Sequence, residues 1–261
     1  GEGAIFRRNH LLLSSFRSCR KGGLVGTYDD YLADIFPGDS VMARAMRARD
    51  WSDTPMGDPS TWPEALKIPL RMLLTTRFEM WLGWGPDLHF FYNDAYIPTL
   101  GLQHPHMLGK PVKEVWSEIY DDVVDQFDRV RSGEATWNKA MLLLLERSGY
   151  PEETYHSFSY SPLYEQDGTI VGLLCVVTEE TARIISERRL ETLRQLGLLL
   201  ATATGKTAIR DAVLAALGTN KHDFPFVALH LADDPDCQHL VTRVLEARDP
   251  SFGPIDASGE F

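Results

Sequence analysis

The most informative stretch of this sequence is DLHFFYNDAY, residues 87–96. Its aromatic residues predict a short strand that ends at Tyr92, and a helical pattern follows from Ala95. Asn93 lies between the two, where its side-chain oxygen can accept a hydrogen bond from a backbone N–H of the first helical turn. The stretch therefore predicts a strand that passes directly into a capped helix.

Strand and helix patterns alternate around this junction. Turn-forming residues separate five predicted strands, at residues 78–84, 88–92, 136–147, 154–164 and 170–178. Between the second and third strands, apolar residues recur at helical spacing from Trp116 to Val130. Two strands, a helical middle and three hairpin-linked strands predict an α+β fold, in which a five-stranded antiparallel sheet carries helices on one face.

An N-terminal extension and linker with helical stretches is predicted over residues 1–60. Thr61 and Glu64 then have the spacing of a capping box, which predicts a helix that begins near Thr61. We interpret Trp51 and Trp62 as packing anchors of this connector rather than as ligand contacts.

A long helix is predicted to follow the sheet over residues 179–204. An apolar seam near heptad spacing runs along it and consists of Ile185, Leu190, Leu193, Leu196 and Leu200. The seam favours pairing with the same helix of a second copy, and packing against the helix's own chain is the alternative. Together with Thr178 and Glu179, where strand changes to helix, it forms the predicted signalling helix. Beyond it, residues 208–217 predict another helix and residues 224–231 a strand.

Composition restricts the class of protein. The 261 residues allow one large domain or two modest ones, and 44% hydrophobic with 24% charged residues is ordinary for a globular chain. A net charge of −11 disfavours binding to nucleic acid or anionic lipid, because both need a basic surface. The apolar runs are far shorter than a membrane span. We therefore expect a soluble protein without a nucleic-acid or membrane partner.

Catalytic and metal-binding motifs are missing from the sequence. The three cysteines, Cys19, Cys175 and Cys237, are far apart, and no CxxC or Cys/His spacing occurs. Neither a disulfide framework nor a metal site is predicted, and a reducing cytoplasm is the simplest expected location. The sequence has no phosphate-binding loop, nucleophile elbow or zinc-protease motif. We therefore do not expect this chain to be an enzyme, although a longer protein that contains it could be a protein-histidine kinase.

The order of these elements resembles the PAS sensory domains. The residues that carry the resemblance are FYNDAY (91–96) at the strand-to-helix junction, LGKPVKEVW (108–116) at a helix entry and SFSYSPLYEQDGTIVGLLCVVTEET (157–181) at the last two strands. Residues 47–66 resemble a subgroup found in bacterial sensor histidine kinases and related multidomain regulators, where a GAF domain often follows. The tail, residues 191–233, resembles the opening of such a GAF domain.

The resemblance implies a PAS-like sensor domain over residues 61–178 and a partial GAF-like α/β domain over residues 205–261. A GAF domain has about 150 residues, an ordinary domain size, so this one is either truncated or lacks segments, and both remain open. The family often has an Asp-x-Thr at the start of its output helix. Here the Asp is absent, and Glu179 or Glu180 is the candidate substitute.

The resemblance also implies a sensor pocket within the unit of helices and sheet. Its candidate residues are mostly aromatic, with a few polar groups: Trp81, Tyr92, Asn93, Tyr96, Trp116, Trp137, His156, Phe158, Tyr160 and Cys175. A core that these rings simply fill, without any ligand, is the alternative.

The cofactor is left unknown, and none is the first expectation. The cysteine motif of covalent flavin photoreceptors is absent, haem ligation by His104, His106 or His156 is less expected than an ordinary polar role, and the surroundings of Cys19 do not resemble a bilin attachment region.

We expect a cytoplasmic PAS–GAF input region of a multidomain two-component signalling protein, such as a sensor histidine kinase. It would relay binding of a small molecule or partner through a dimeric helix. A flavin, haem or bilin photo- or redox sensor, and a PAS module used only for protein–protein interaction, are the alternatives.

Overall fold

The computed structural model describes residues 27–229 and 241–242, so Cys19 and Cys237 lie outside the described residues. The chain divides into two compact units, of which the first ends at Glu180 and the second begins at Thr181. The first unit contains a sheet with helices on both sides, and the second begins with a pair of helices.

Three helices precede the sheet: α1 (Tyr28–Ile35), α2 (Val41–Ala48) and α3 (Glu64–Thr75). The predicted capping box at Thr61 is wrong, because α3 has Pro63 at its N-cap and no side-chain cap. Thr61 instead ends a separate 3-10 turn, Pro59–Thr61, and its hydroxyl donates to the Asp58 carbonyl at 2.7 Å. Asp58 also caps this turn by accepting the Ser60 N–H at 2.7 Å, so the first turn of α3 loses its expected partner.

Five antiparallel strands form the sheet in the order β2-β1-β5-β4-β3, which confirms the predicted α+β fold class. The helices were predicted on one face of the sheet and lie on both. The strands are β1 (Glu79–Trp84), β2 (His89–Tyr92), β3 (Thr136–Leu145), β4 (Glu152–Tyr164) and β5 (Ile170–Glu179). β5 lies in the middle and pairs with β1 and β4. The last strand before the second unit is therefore also the central strand of the sheet.

The segment between β2 and β3 covers one face of the sheet with α4 (Ile97–Leu100), α5 (Val112–Val115) and α6 (Tyr120–Arg131). In α6, Val123, Phe127 and Val130 recur at helical spacing and are buried. α6 contacts β3, β4 and β5. We call this side of the sheet the inner face.

Helices α1 to α3 and their linker pack on the other side of β1 and β2, which we call the outer face. Successive side chains of a strand alternate between faces, so Phe91 points outward while its neighbours in β2 point inward. Trp51 stacks on Phe91 at 5.2 Å between ring centroids, and Trp62 meets Trp51 edge-on at 5.1 Å. Both tryptophans are buried, which confirms their interpretation as packing anchors.

The second unit begins with α7 (Thr181–Thr202) and α8 (Lys206–Gly218), followed by two short antiparallel strands, β6 (Val227–Ala228) and β7 (Val241–Thr242). The Asn220 amide donates to the Thr192 hydroxyl at 3.0 Å, and Arg188 pairs with Asp223 at 2.9 Å. These contacts join α7 to the chain that follows α8. Burial of Thr192 marks the side of α7 that packs within this unit.

Only part of the C-terminal prediction falls on described residues. Of the predicted strand 224–231, Val227–Ala228 form β6, while residues 230–231 lie outside the description. No helix in the described parts of the chain is long and apolar enough to cross a membrane.

Candidate functional site

The chain turns from β2 into the inner-face helices around Asn93. Its side-chain oxygen accepts the backbone N–H groups of Met80 and Tyr96, each at 3.2 Å, and its amide donates to the Phe78 carbonyl at 2.7 Å. The predicted cap is therefore confirmed, and the same side chain also ties β2 to the start of β1. Asn93 is buried by these bonds, with 2% of its surface exposed, and is a structural residue of the junction.

A small cavity of about 30 Å³ lies between the inner-face helices and the sheet. A water molecule needs roughly 10–15 Å³ of such volume, so the cavity has room for about two waters. Its lining is mostly apolar and aromatic: Trp81, Tyr96, Thr99, Trp116, Ile119, Val123, Phe127, Leu143, Leu145, His156, Phe158, Tyr160, Cys175 and Val177.

Most of the predicted pocket residues line this cavity, and three do not. Tyr92 is buried elsewhere, with its hydroxyl 2.8 Å from Nδ1 of His104, and Asn93 is engaged in the junction. Trp137 was wrongly placed: it lies on the outer face, paired with Ser159 across β3 and β4, and is 66% exposed. The period of two along β3 places Trp137 opposite to the buried Thr136.

Sequence reasoning missed the aliphatic part of the lining. Leu143 and Leu145 belong to β3, and Val177 belongs to β5 two residues after Cys175. Alternation from Cys175 would have identified Val177. The run of four leucines in β3 hides its alternation, because both faces of that strand are apolar.

The polar groups around the cavity are uncharged near neutral pH. Burial lowers the pKa of His156 to about 4, and burial raises the pKa of the Tyr96 and Tyr160 phenols and of the Cys175 thiol. The Thr99 hydroxyl oxygen is buried and has no hydrogen-bond partner among the described residues. The cavity therefore favours a small, neutral occupant that can bond to one hydroxyl.

Hydrogen bonds fix the orientation of His156. The Thr154 hydroxyl donates to the Leu143 carbonyl at 2.8 Å, so it accepts at 3.1 Å from Nε2 of His156. This assigns the proton of the neutral ring to Nε2, and the side chain is a satisfied polar group. The cavity does not fit a flavin, haem or bilin, because sites for such molecules have volumes of about 300–1,000 Å³.

A groove of about 580 Å³ lies at another end of the sheet, beside the turn between β1 and β2. Its apolar lining includes Trp84, Leu88, Val130, Ile170 and Leu173. It contains none of the predicted pocket residues.

Charged side chains gather where β5 ends. The guanidinium of Arg147 binds the Glu179 carboxylate through two bonds, at 2.8 and 3.0 Å, and Glu152 through a third at 3.2 Å. Glu79 of β1 lies beside them, and its Oε2 atom is buried without a partner among the described residues. The predicted role of Glu179 as a substitute for the missing Asp is consistent with this ion pair. We call Glu79, Arg147, Glu152 and Glu179 the junction cluster.

Glu180 adds two further contacts at this end of the strand. Its N–H donates to the Tyr155 carbonyl at 2.7 Å, and its carboxylate accepts a hydrogen bond from the Ser157 hydroxyl. Thr178 is exposed and on the outer face. The last residues of β5 are thus held to β4 and to Arg147 directly before α7 begins.

The apolar seam of α7 is mostly open to solvent. Leu190 and Leu193 are 67% and 64% exposed, and Leu200 is also exposed. Ile185 and Leu196 are half-buried. On a helix of 3.6 residues per turn, Leu190 lies about 200° and Leu193 about 100° around the axis from Thr192. Neither leucine therefore shares the side of α7 that packs within its own unit.

Comparison with known proteins identifies one family model and several similar solved structures. Residues 79–184 match the family model described as PAS fold. Among solved structures, the chain is similar to a sensory box sensor histidine kinase from Vibrio cholerae (18% identity, TM-score 0.31, 44% of this chain and 90% of that one). It is also similar to the PAS domain from Bordetella pertussis BvgS (16%, TM-score 0.33, 49% and 96%).

A third similar structure is an RNA-binding light-oxygen-voltage receptor, with 17% identity and a TM-score of 0.38. The match covers 56% of this chain and 41% of that receptor. No curated protein matches the sequence.

Proposed function

We propose that this chain, which contains a PAS domain over residues 79–184, is the sensory input region of a multidomain signal-transduction protein. In this proposal, occupation of the inner-face cavity or contact with a partner changes the sheet. The central strand β5 passes the change to α7, and α7 pairs with its counterpart in a second copy. Such relay requires an element with two arrangements whose balance the signal shifts, and the end of β5 with α7 is that element.

The observation that carries the proposal is the exposed leucine stripe of α7. A helix that packs only within its own chain exposes mainly polar side chains on its free side, whereas Leu190 and Leu193 are largely exposed here. Burying these leucines against a second copy would remove apolar surface from water, at roughly 25 cal/mol per Å². The position of α7 directly after Glu180 gives this pairing a route to the sheet.

The output is proposed to be a kinase or another regulatory domain outside this sequence. Support comes from the resemblance of residues 47–66 to modules of bacterial sensor histidine kinases and of residues 191–233 to the start of a GAF domain. We propose a cytoplasmic location for the same reason. The chain itself would have no catalytic role.

The input is proposed to be small and uncharged, or to be a partner rather than a ligand. The cavity has room for about two waters, and the unpaired hydroxyl of Thr99 belongs to its lining. We therefore expect the purified protein to be colourless. An absorption band of flavin, haem or bilin would contradict this part of the proposal, and native mass spectrometry would reveal a retained metabolite.

A second candidate function is a PAS module that serves only protein–protein interaction. The observation in its favour is a group of exposed apolar side chains on the outer face of β3 and β5: Trp137, Leu142, Leu144 and Val176. Exposed apolar side chains gathered on one face of a sheet are a feature of interaction sites. On this alternative, the sheet and not α7 would contact the partner.

Sedimentation velocity distinguishes the two candidates. We expect the protein to sediment as a dimer and the double variant Leu190→Glu, Leu193→Glu to sediment as a monomer with unchanged helix content. The matched control, Leu142→Glu with Leu144→Glu, places the same charges on the outer face of β3 and should remain dimeric. A strict monomer at high concentration, or a dimer that only the control variant dissociates, would contradict pairing through α7.

A further inference from the structure

Glu79 and Glu179 occupy neighbouring positions on the inner face. Glu79 pairs with Val177 across β1 and β5, and Glu179 follows Val177 by two residues on the same face of β5. Diagonal neighbours of this kind lie within reach of long side chains. The two carboxyl groups therefore share one end of the sheet, beside the cavity that Val177 lines.

Among the described side chains, Arg147 is the cation that the junction cluster shares. Arg147 uses its guanidinium for Glu179 and Glu152, and these side chains are largely buried, with 17–24% of their surface exposed. Oε2 of Glu79 has no partner among the described residues. If Glu79 were ionised, its carboxylate would stand beside that of Glu179 with one buried oxygen unpaired among the described residues, which is unfavourable.

Among the described residues, two other titratable groups that face Glu79 are neutral near pH 7. His156 lies opposite Glu179 on β4, and burial lowers the pKa of its imidazole to about 4, so the ring is neutral at pH 7. Tyr96, from the segment after β2, is a buried neutral phenol whose pKa is raised by desolvation. A proton on Glu79 removes the repulsion between its carboxyl and that of Glu179.

We propose that the carboxyl of Glu79 is a proton-binding switch that controls how firmly Arg147 holds Glu179 at the end of β5. With the proton bound, Glu79 is neutral and Arg147 stays with Glu179 and Glu152. When the proton leaves to solvent, a second carboxylate stands beside Glu179 and competes for the same guanidinium. The bidentate contact between Arg147 and Glu179 then weakens.

The switch operates in the neutral pH range. Burial and the charge of Glu179 raise the pKa of Glu79 to about 7, although Arg147 opposes the shift. His156 changes charge only at lower pH.

The consequence for signalling rests on the proposed function, because it assigns α7 the output role. Glu179 is the last residue of β5, and Glu180 directly precedes α7. Loss of the Arg147 contact removes one of the side-chain contacts that hold the strand end leading into that helix. Regulation by protons would then add to regulation by a ligand or partner at the same sheet.

Nuclear magnetic resonance of the side chains tests the switch without reference to output. In protein labelled at glutamate and arginine, we expect the Cδ signal of Glu79 and the Nε signal of Arg147 to titrate together with a midpoint near 7. In Glu79→Gln, which imitates the protonated carboxyl, the Arg147 signal should no longer move in this range. In the control Glu146→Gln, which changes an exposed neighbour of Arg147, the titration should persist.

Removing the repulsive neighbour provides a second measurement. In Glu179→Gln, Arg147 becomes available to Glu79, so the midpoint of Glu79 should fall by about one pH unit or more. The inference would be overturned by a Glu79 midpoint near its ordinary value of 4.5 in the unmodified protein. It would also be overturned if the Nε signal of Arg147 still shifted near pH 7 in Glu79→Gln. The unmodified protein alone decides the case if the Gln variant does not fold.

The outcomes separate this inference from the proposed function. The Nε signal of Arg147 could shift with pH as expected while the Leu190→Glu, Leu193→Glu variant sediments like the unmodified protein. That result would support the proton switch and contradict pairing through α7. If sedimentation behaves as proposed but Arg147 does not respond to pH, pairing through α7 stands and the switch falls.

Discussion

Two strand ends of the first unit are held by buried polar side chains of different chemistry. At the end of β2, the neutral amide of Asn93 makes three hydrogen bonds to the backbone. At the end of β5, Arg147 is shared by Glu179 and Glu152, and Glu79 keeps an unpaired oxygen. The amide does not titrate, whereas the guanidinium lies among three carboxyl groups that can.

This difference indicates which strand end is fixed and which is adjustable. A satisfied buried polar group stabilises one arrangement. In a cluster where carboxyls share one guanidinium, the contacts change when a proton is added or removed. The fixed strand end leads into the helices that cover the cavity. The adjustable one leads into α7, the helix to which we assign the output role.

The largest expected effect is the loss of the fixed strand end. Asn93→Ala leaves the Met80 N–H and the Phe78 carbonyl without their side-chain partner, while the Tyr96 N–H keeps the backbone carbonyl of residue 93. It should lower the free energy of unfolding by about 3 kcal/mol in urea denaturation. The control Asn138→Ala removes an amide that bonds only to the Gln126 side chain, and should cost clearly less. Equal losses of unfolding free energy in the two variants would show that the hydrogen bonds of Asn93 do not stabilise the junction more than an ordinary side-chain pair does.

The next effect concerns the cation of the junction cluster. Arg147→Met leaves Glu179 and Glu152 without their partner and should destabilise the protein by about 2 kcal/mol at about pH 8, a value discounted for partial exposure. The loss should shrink at about pH 5, because protonated carboxyls need no cation. Arg129→Met, which breaks an exposed pair with Glu134, should change stability little at either pH, and the same urea experiment compares them.

A smaller effect is the pH dependence that Glu79 imposes. Its pKa is raised in the folded protein, so its contribution is fully present below about pH 4.5 and is lost as pH rises through about 7. The free energy of unfolding of Glu79→Gln, relative to that of the unmodified protein, should therefore rise across this range by roughly 1 kcal/mol after discounting for solvent screening. The measurement is the urea midpoint of both proteins as a function of pH. A difference between the two midpoints that stays constant with pH would contradict this expectation.

His156 gives a slope of opposite sign in the same titration. Its pKa is lowered on folding, so stability due to the neutral ring is lost as pH falls from about 6.5 through about 4. The comparison with Glu79→Gln removes this common contribution, because both proteins contain His156.

The smallest effect is expected at the cavity. Thr99→Val removes a buried hydroxyl that has no partner among the described residues, and should alter the free energy of unfolding by no more than about 0.5 kcal/mol. Thr154→Val, which deletes a hydroxyl bonded to Leu143 and His156, should cost about 1–2 kcal/mol. A large loss for Thr99→Val would indicate that an occupant uses that hydroxyl.

Local sequence patterns predicted the parts of the molecule that depend on local rules. The alternation of strands and the spacing of α6 follow from burial of one face, and Asn93 is a cap because of its position after an aromatic strand. The capping box at Thr61 failed for a local reason as well, since Asp58 and Pro59 start a competing turn.

The remaining features depend on contacts between distant segments. The Asp94 carboxylate accepts the N–H groups of Val41 and Met42 at 2.8 Å and so caps α2 from 52 or 53 residues away. The junction cluster likewise assembles Glu79, Arg147 and Glu179 from different strands and turns. Single-sequence spacing holds no signal for such pairings, and Trp137 was misplaced because an aromatic residue suits either face of a sheet.

Hydrogen exchange at the two strand ends tests their difference most directly. The N–H of Tyr96 bonds to Asn93, and the N–H of Glu180 bonds to the Tyr155 carbonyl beside the junction cluster. After correction for intrinsic exchange and for the change in the global free energy of unfolding, the opening free energy at Tyr96 should be the same at about pH 6 and about pH 8, while that at Glu180 should fall at the higher pH. Glu79→Gln should abolish the fall at Glu180. Equal pH dependence at both amides, or a fall at Glu180 that persists in Glu79→Gln, would contradict the distinction between a fixed and an adjustable strand end.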